Sequence, residues 1–150
     1  MLENLKECNI SLNVHADNWE DAVAKSSEYL LAMKKIKQSY IDAMIEAIHR
    51  IGPYIVLGNH VALAHARPEC GVNELSVHFS VLNPPIEFGS PNFDPVSLII
   101  TLAAIDADSH LELISELAGI LMEEENVNKL VNSKTEKEFL DLLNEMKGEV

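Results

Sequence analysis

The stretches LSVHFSV (residues 75–81) and SLIITLAA (residues 97–104) decide the fold. In the first, Leu75, Val77, Phe79 and Val81 alternate with Ser76, His78 and Ser80, the period of a half-buried strand. The second is a nearly continuous apolar run, which fits a central strand covered on both faces. A strand covered twice needs helices on each side of its sheet, so the rest of the chain has to supply them.

Working outward, Ile10, Leu12 and Val14 alternate with polar residues and predict a first strand. Asp17 can cap a helix that carries Trp19, Ala22, Val23, Ser26 and Leu30 along one face. Ser39 opens a second helix striped by Ile41, Met44, Ile45 and Ile48, and Gly52-Pro53 stops it. Tyr54 to Leu57 and Val61 to His65 are short extended candidates, while Pro84-Pro85 and Gly89 to Pro95 are turn-rich. Beyond the central strand, Ser109 and Glu112 form a capping-box pair ahead of Leu111, Ile114, Leu117, Ala118 and Leu121. A short helical turn covers Val127 to Val131. Thr135 and Glu138 repeat the capping pattern before Phe139, Leu142, Leu143 and Met146. Interleaved helices and strands of this kind predict an α/β fold, a mixed sheet sandwiched by helices, in one domain over residues 1–150.

Composition narrows the function. The chain has 11 basic and 24 acidic residues, a net charge of −13. That disfavours nucleic acid and anionic membrane surfaces and leaves open a protein partner with a basic face. No apolar run approaches the roughly 18 residues that span a bilayer. The N-terminus MLENLKECNI lacks the pattern of a signal peptide. Two cysteines, Cys8 and Cys70, make no disulfide framework, and a cytoplasmic location is the expectation.

The chemistry centres on VALAHAR (residues 61–67), a short apolar segment that ends on His65 with Arg67 two places on. An imidazole with its ordinary pKa near 6.5 is mostly neutral and nucleophilic near neutral pH. If Leu63, His65 and Arg67 stay extended, they share one face. Arg67 then reads either as a stabiliser of an anion at His65 or as a surface arginine paired with Glu69. His110 reads as the first residue inside a capped helix, where the positive end of the helix dipole favours the neutral ring, or as a partly exposed first-turn residue. His60 is an odd number of residues from His65 and should face away from it, on a loop at the rim. His78 falls on the polar side of its strand and should be solvated. His49 lies at a helix C-terminus, where a cation is favourable, and His15 lies in a loop. Cys70 reads as an ordinary free thiol in a turn, with redox sensitivity as the sharper alternative. The run Glu123 to Glu125 reads as a solvated helix exit.

The block GPYIVLGNHVALAHARPECGV (residues 52–72) resembles the active-site region of enzyme IIA of the bacterial phosphoenolpyruvate-dependent sugar phosphotransferase system. The mannitol–fructose class of that family carries an apolar-Ala-apolar-Pro-His segment, and the GPYIVL lead-in and HARPE-x-GV exit look most like its ascorbate-type branch. DPVSLIITLAAIDADSHLELISELAGIL (residues 94–121) resembles the second signature, a strand leading into a helix that starts with a histidine. The order of elements agrees from about residue 15 to the C-terminus. The resemblance implies the IIA mannitol/fructose-type fold and a phosphotransferase activity. It implies that His65 accepts a phosphoryl group from the phosphohistidine of HPr and passes it to a cysteine of a IIB component, with the membrane IIC component involved indirectly. It places His110 beside the phosphorylated histidine. No metal, nucleotide or other cofactor is implied, because the donor is already an activated phosphoramidate, and the sugar is chosen by the membrane component.

Two departures stand out. Ala64 replaces the usual proline before the histidine, which should loosen the approach to His65. Asn59-His60 replaces the proline-glycine usual in the ascorbate-like branch. The alternatives are a stand-alone regulatory domain with the same chemistry, and a metal-dependent hydrolase using His60, His65, Cys70 and His110. The spacing of the latter set matches no common zinc pattern.

Overall fold

Strands β1 (Ile10–Val14), β2 (Val61–Ala64), β3 (Ser76–Ile86) and β4 (Val96–Ala103) form a sheet in the order β1-β3-β4-β2. Strand β1 runs parallel to β3 and β2 parallel to β4, while β3 and β4 are antiparallel, so the sheet is mixed. The computed structural model describes residue 2 and residues 4–148. Helices α1 (Trp19–Ala32) and α2 (Gln38–Ile51) cover one face; α3 (Ala107–Leu121), α4 (Glu124–Val131) and α5 (Glu136–Met146) cover the other.

The period of two on each strand divides the core. Ala62, Ala64, Ile99 and Ala103 pack with Val23, Leu30, Tyr40 and Met44 of the first helix layer. Leu63, Phe79, Leu98 and Ile100 pack with Leu117, Leu130, Phe139 and Leu143 of the second. The Phe79 and Phe139 rings sit 5.6 Å apart at 57°. Truncating either to alanine in so dense a layer costs about 3–5 kcal/mol.

Several local expectations are corrected. Strand β3 is buried on both faces from Val77 to Leu82: Ser80 is fully buried and His78 is 2% exposed. His78 and Ser80 on its polar face pack under α1, so alternation there marks a second covered layer and not solvent. His78 Nε2 lies 2.8 Å from Ser11 Oγ, and its ring stacks on Tyr29. The strand also runs on through Pro84-Pro85 to Ile86, with the ladder irregular between Val81 and Ile86 where those prolines lack donors. Tyr54 to Leu57 forms no strand and keeps only a bridge between Val56 and Ala62. A turn follows it at Asn59 and His60, both with positive φ (59° and 65°), a geometry that asparagine and histidine tolerate better than most residues.

The helix starts shift by a residue or more. Asn18, not Asp17, caps α1, and α2 begins at Gln38 after Lys37. Asp106 caps α3, its carboxylate accepting from Ser109 N–H at 2.7 Å. His110 is therefore the fourth residue of α3, and the Ser109/Glu112 pair lies inside a helix already begun. Glu123 to Glu125 start α4 instead of ending α3, where acidic groups complement the helix dipole. Thr135 caps α5 as its spacing predicts.

Candidate functional site

Parallel pairing of β2 with β4 decides where the chemistry gathers. The register matches Ala64 with Thr101, so both strands end at the same edge of the sheet. His65 leaves the end of β2, and Ile105 to His110 leave the end of β4 into α3. In open α/β sheets this carboxyl edge is where ligands bind. The two exits line one cleft of about 890 Å³ together with the last turn of α2.

His65 is half-buried, and its Nδ1 lies 2.6 Å from the Leu63 carbonyl oxygen. A carbonyl only accepts, so Nδ1 carries the proton and Nε2 keeps its lone pair. Burial pushes the His65 pKa below the ordinary imidazole value; the Leu63 bond opposes this, and the neighbouring His110 adds to it. The ring is thus neutral near pH 7, with its free nitrogen fixed by geometry. The His110 ring lies 5.0 Å away, centroid to centroid, at 54°.

The loop around His65 is held from two sides. Tyr54 Oη donates to the His65 carbonyl at 3.1 Å, and its ring meets the imidazole edge-on at 5.6 Å. Tyr40 Oη donates to the Leu102 carbonyl at 2.6 Å and accepts from the Ala66 N–H at 3.0 Å. At the other end of β2, Asn59 Nδ2 donates to the Leu121 carbonyl at 2.9 Å, tying the preceding turn to the end of α3. The loosening expected from Ala64 is therefore offset by side chains at a distance in sequence. Tyr40 and Tyr54 escape a reading along the chain. The one signal was a tyrosine on the apolar stripe of α2, since a buried phenol needs a hydrogen-bond partner.

Arg67 does not continue the strand. It adopts the extended conformation that a following proline imposes (φ −68°, ψ 144°) and precedes the 3-10 turn Pro68–Cys70. Its exposed side chain lines the cleft and makes no ion pair among the described residues, with Glu69 or any other acid. Arg50, from the last turn of α2, also lines the cleft and reaches Glu46 at 3.3 Å; nothing in the local sequence singles it out. Cys70 is partly exposed in the same cleft. His60 lies at the opposite end of β2, bonded through Nδ1 to the Pro95 carbonyl at 2.8 Å. His49 Nε2 lies 3.2 Å from a Glu20 carboxylate oxygen, with its ring 4.8 Å from that of Trp19, and it does not line the cleft.

Exposed apolar side chains lie on and near the cleft that holds the two histidines. Ile51 and Ile105 line the cleft, and Leu111 follows His110 on α3; all three are more than half exposed (60%, 53% and 66%). Glu46, Glu69 and Asp106 add negative charge to the rim. The arrangement offers a neutral nucleophilic nitrogen, a second imidazole beside it, two arginines and an apolar lip.

The chain is also similar to known proteins along most of its length. Residues 3–146 match the family model described as "Phosphoenolpyruvate-dependent sugar phosphotransferase system, EIIA 2". The chain is similar to the ascorbate-specific PTS system EIIA component of Shigella boydii, with 37% identity over 135 residues, 89% of this chain and 88% of that protein. It is similar to the solution structure of the mannitol-specific cryptic phosphotransferase enzyme IIA CmtB from Escherichia coli: TM-score 0.84, 34% identity, 94% of this chain and 95% of that one. It also matches the complex of enzyme IIAMTL and phosphorylated enzyme IIBMTL from Escherichia coli, with TM-score 0.83 and 26% identity over 95% of this chain and 98% of that one.

Proposed function

Because the chain belongs to the EIIA 2 family of the phosphoenolpyruvate-dependent sugar phosphotransferase system, we propose that His65 is its phosphoryl carrier, taking the group from phospho-HPr and giving it to a IIB cysteine. Members of this family are phosphotransferases that carry a phosphohistidine. The observation that carries the assignment is the Nδ1–Leu63 hydrogen bond, which leaves Nε2 unprotonated in a cleft beside His110.

In the first step the Nε2 lone pair attacks phosphorus. The P–N bond to the donor histidine breaks, and its electron pair returns to that ring. In the second step a IIB thiolate attacks, the P–Nε2 bond breaks, and the pair returns to His65. Nδ1 keeps its proton throughout, so the Leu63 carbonyl stabilises the charge on the ring in both steps. The transition state is loose, and catalysis is mostly positioning and charge stabilisation. His110 donates an N–H to a phosphoryl oxygen, and Arg67 and Arg50 add positive charge. Ile51 and Ile105 exclude water when a partner closes over the cleft.

HPr and IIB use the same cleft in turn, since both must reach one nitrogen. The rim carboxylates suit partners with basic faces. The protein works in the cytoplasm, where its donor works; no helix among the described residues is long and apolar enough to cross a membrane. Residues 1–150 act as one EIIA domain. The identity to ascorbate-specific relatives supports an ascorbate-type IIB as acceptor.

The test is incubation with phosphoenolpyruvate, enzyme I and HPr, read by mass spectrometry for an acid-labile phosphate. Wild type is expected to take it up and His65→Ala to remain unmodified. Uptake by His65→Ala at the normal rate would refute the assignment. Adding purified ascorbate-type and mannitol-type IIB proteins then identifies the acceptor. Capture of a regulator with transfer to neither IIB would favour the stand-alone regulatory role.

A further inference from the structure

We propose that the buried hydroxyl of Tyr40 is a positioning group for phosphoryl transfer, standing in for a rung of the β2–β4 ladder and thereby setting where Nε2 of His65 points. This rests on the reading of His65 as the carrier.

The last paired residues of the parallel ladder are Ala64 and Thr101. One step further, a backbone rung would join the Ala66 N–H to the Leu102 carbonyl. The Tyr40 hydroxyl sits between those two groups, accepting from the first at 3.0 Å and donating to the second at 2.6 Å. The chain at residues 65–66 is thus held away from β4 by the width of one oxygen, yet both backbone groups stay satisfied. His65 turns out of the sheet at this point, with its ring folded back onto the Leu63 carbonyl.

Tyr40 is well placed to do this. Its side chain is fully buried in the first core layer. Burial pushes its pKa up to about 12, so the donor proton is retained wherever the protein works. The same turn of α2 grips the far end of the loop. Ser39 Oγ donates to the Cys70 carbonyl at 2.7 Å, and Lys37 N–H donates to the Gly71 carbonyl at 2.8 Å. The start of α2 therefore brackets residues 66–71, which include Arg67.

Removing the hydroxyl alone leaves two outcomes for the backbone. Either the rung closes directly and draws residues 65–66 toward β4, or the two groups lose their partners and the loop opens to water. Both disturb the His65–Leu63 bond, and neither touches the substrate directly.

Tyr40→Phe tests this, with Met44→Ala as a control that loosens the same core layer without touching the loop. The first readout, ¹⁵N NMR of His65, does not depend on transfer. In wild type and Met44→Ala the Nδ1–H tautomer should dominate. In Tyr40→Phe the Nε2–H tautomer should appear and the His65 pKa should rise toward the ordinary imidazole value. The second readout is transfer from phospho-HPr, whose kcat should fall about tenfold with KM little changed. An unchanged His65 tautomer and titration in Tyr40→Phe would overturn the proposal, as would the same change in Met44→Ala. Absence of phosphate on wild-type His65 would instead refute the carrier reading, and the NMR comparison would still decide the role of Tyr40.

Discussion

His65 donates its Nδ1–H to the carbonyl of Leu63, two residues back along its own chain, at 2.6 Å. The contact is local in sequence, but it forms only because the chain leaves the sheet just after Ala64. The first prediction follows from it. The phosphoryl group should reside on Nε2, and ³¹P and ¹⁵N NMR of the phosphoprotein should show no Nδ1 adduct. Because burial lowers the His65 pKa, transfer should keep more than half its rate at pH 6.5 and reach half-loss only below that. Half-loss at or above the ordinary imidazole value of about 6.5 would contradict the buried, neutral ring.

His110 should matter to rate more than to fold. On its proposed role as a donor to the phosphoryl group, His110→Ala should slow transfer roughly ten- to a hundredfold. It also removes a neighbour that depresses the His65 pKa, so that pKa should rise. Rapid-quench transfer and an NMR titration of His65 measure the two effects. An unchanged rate would place His110 outside the chemistry.

His78 should make the fold acid-sensitive. Burial depresses its pKa to about 4, whereas the unfolded imidazole takes up its proton near 6.5. Between those values the unfolded chain binds more protons, so stability falls as pH drops through that window and levels off below it. The loss is on the order of 3 kcal/mol. Urea unfolding at pH 7 and pH 4 should show a smaller drop for His78→Gln than for wild type. Equal drops would mean that His78 is not the sensor.

Gly71 closes the loop that His65 begins. Its φ is +139°, and an added Cβ would lie 2.6 Å from Ser39 Oγ and 3.2 Å from Tyr40 N. Gly71→Ala should destabilise the protein by about 1–3 kcal/mol and slow transfer, measured by denaturant unfolding and phosphate uptake. A variant as stable as wild type would show that the start of α2 does not clamp this segment.

The sequence carried the layers, because period-two and period-3.6 patterns report which face of an element is covered. It misread the solvent exposure of His78, because alternation cannot say whether the second face meets water or another helix. It singled out His65 from its own chemistry and setting, and gave His110 a role beside it only through the resemblance of the flanking segment. It did not show Tyr54 and Arg50 at the cleft or Tyr40 behind its loop, since Tyr40 and Tyr54 bond to backbone far along the chain and only the packing of α2 brings its last turn to the cleft. It also put His110 at a helix start that Asp106 had already capped, because serine and aspartate compete for one capping role and spacing alone does not choose.

By itself, then, the chain determined its helices, its central strands and the histidine that can act as nucleophile, all consequences of local periodicity and side-chain chemistry. The tertiary structure alone decided which nitrogen is free and what holds it there. Those depend on β2 and β4 ending at the same edge, and on a phenol from α2 reaching one backbone group on β4 and another just past the end of β2. Such contacts are set by packing in three dimensions, and no spacing along the chain encodes them.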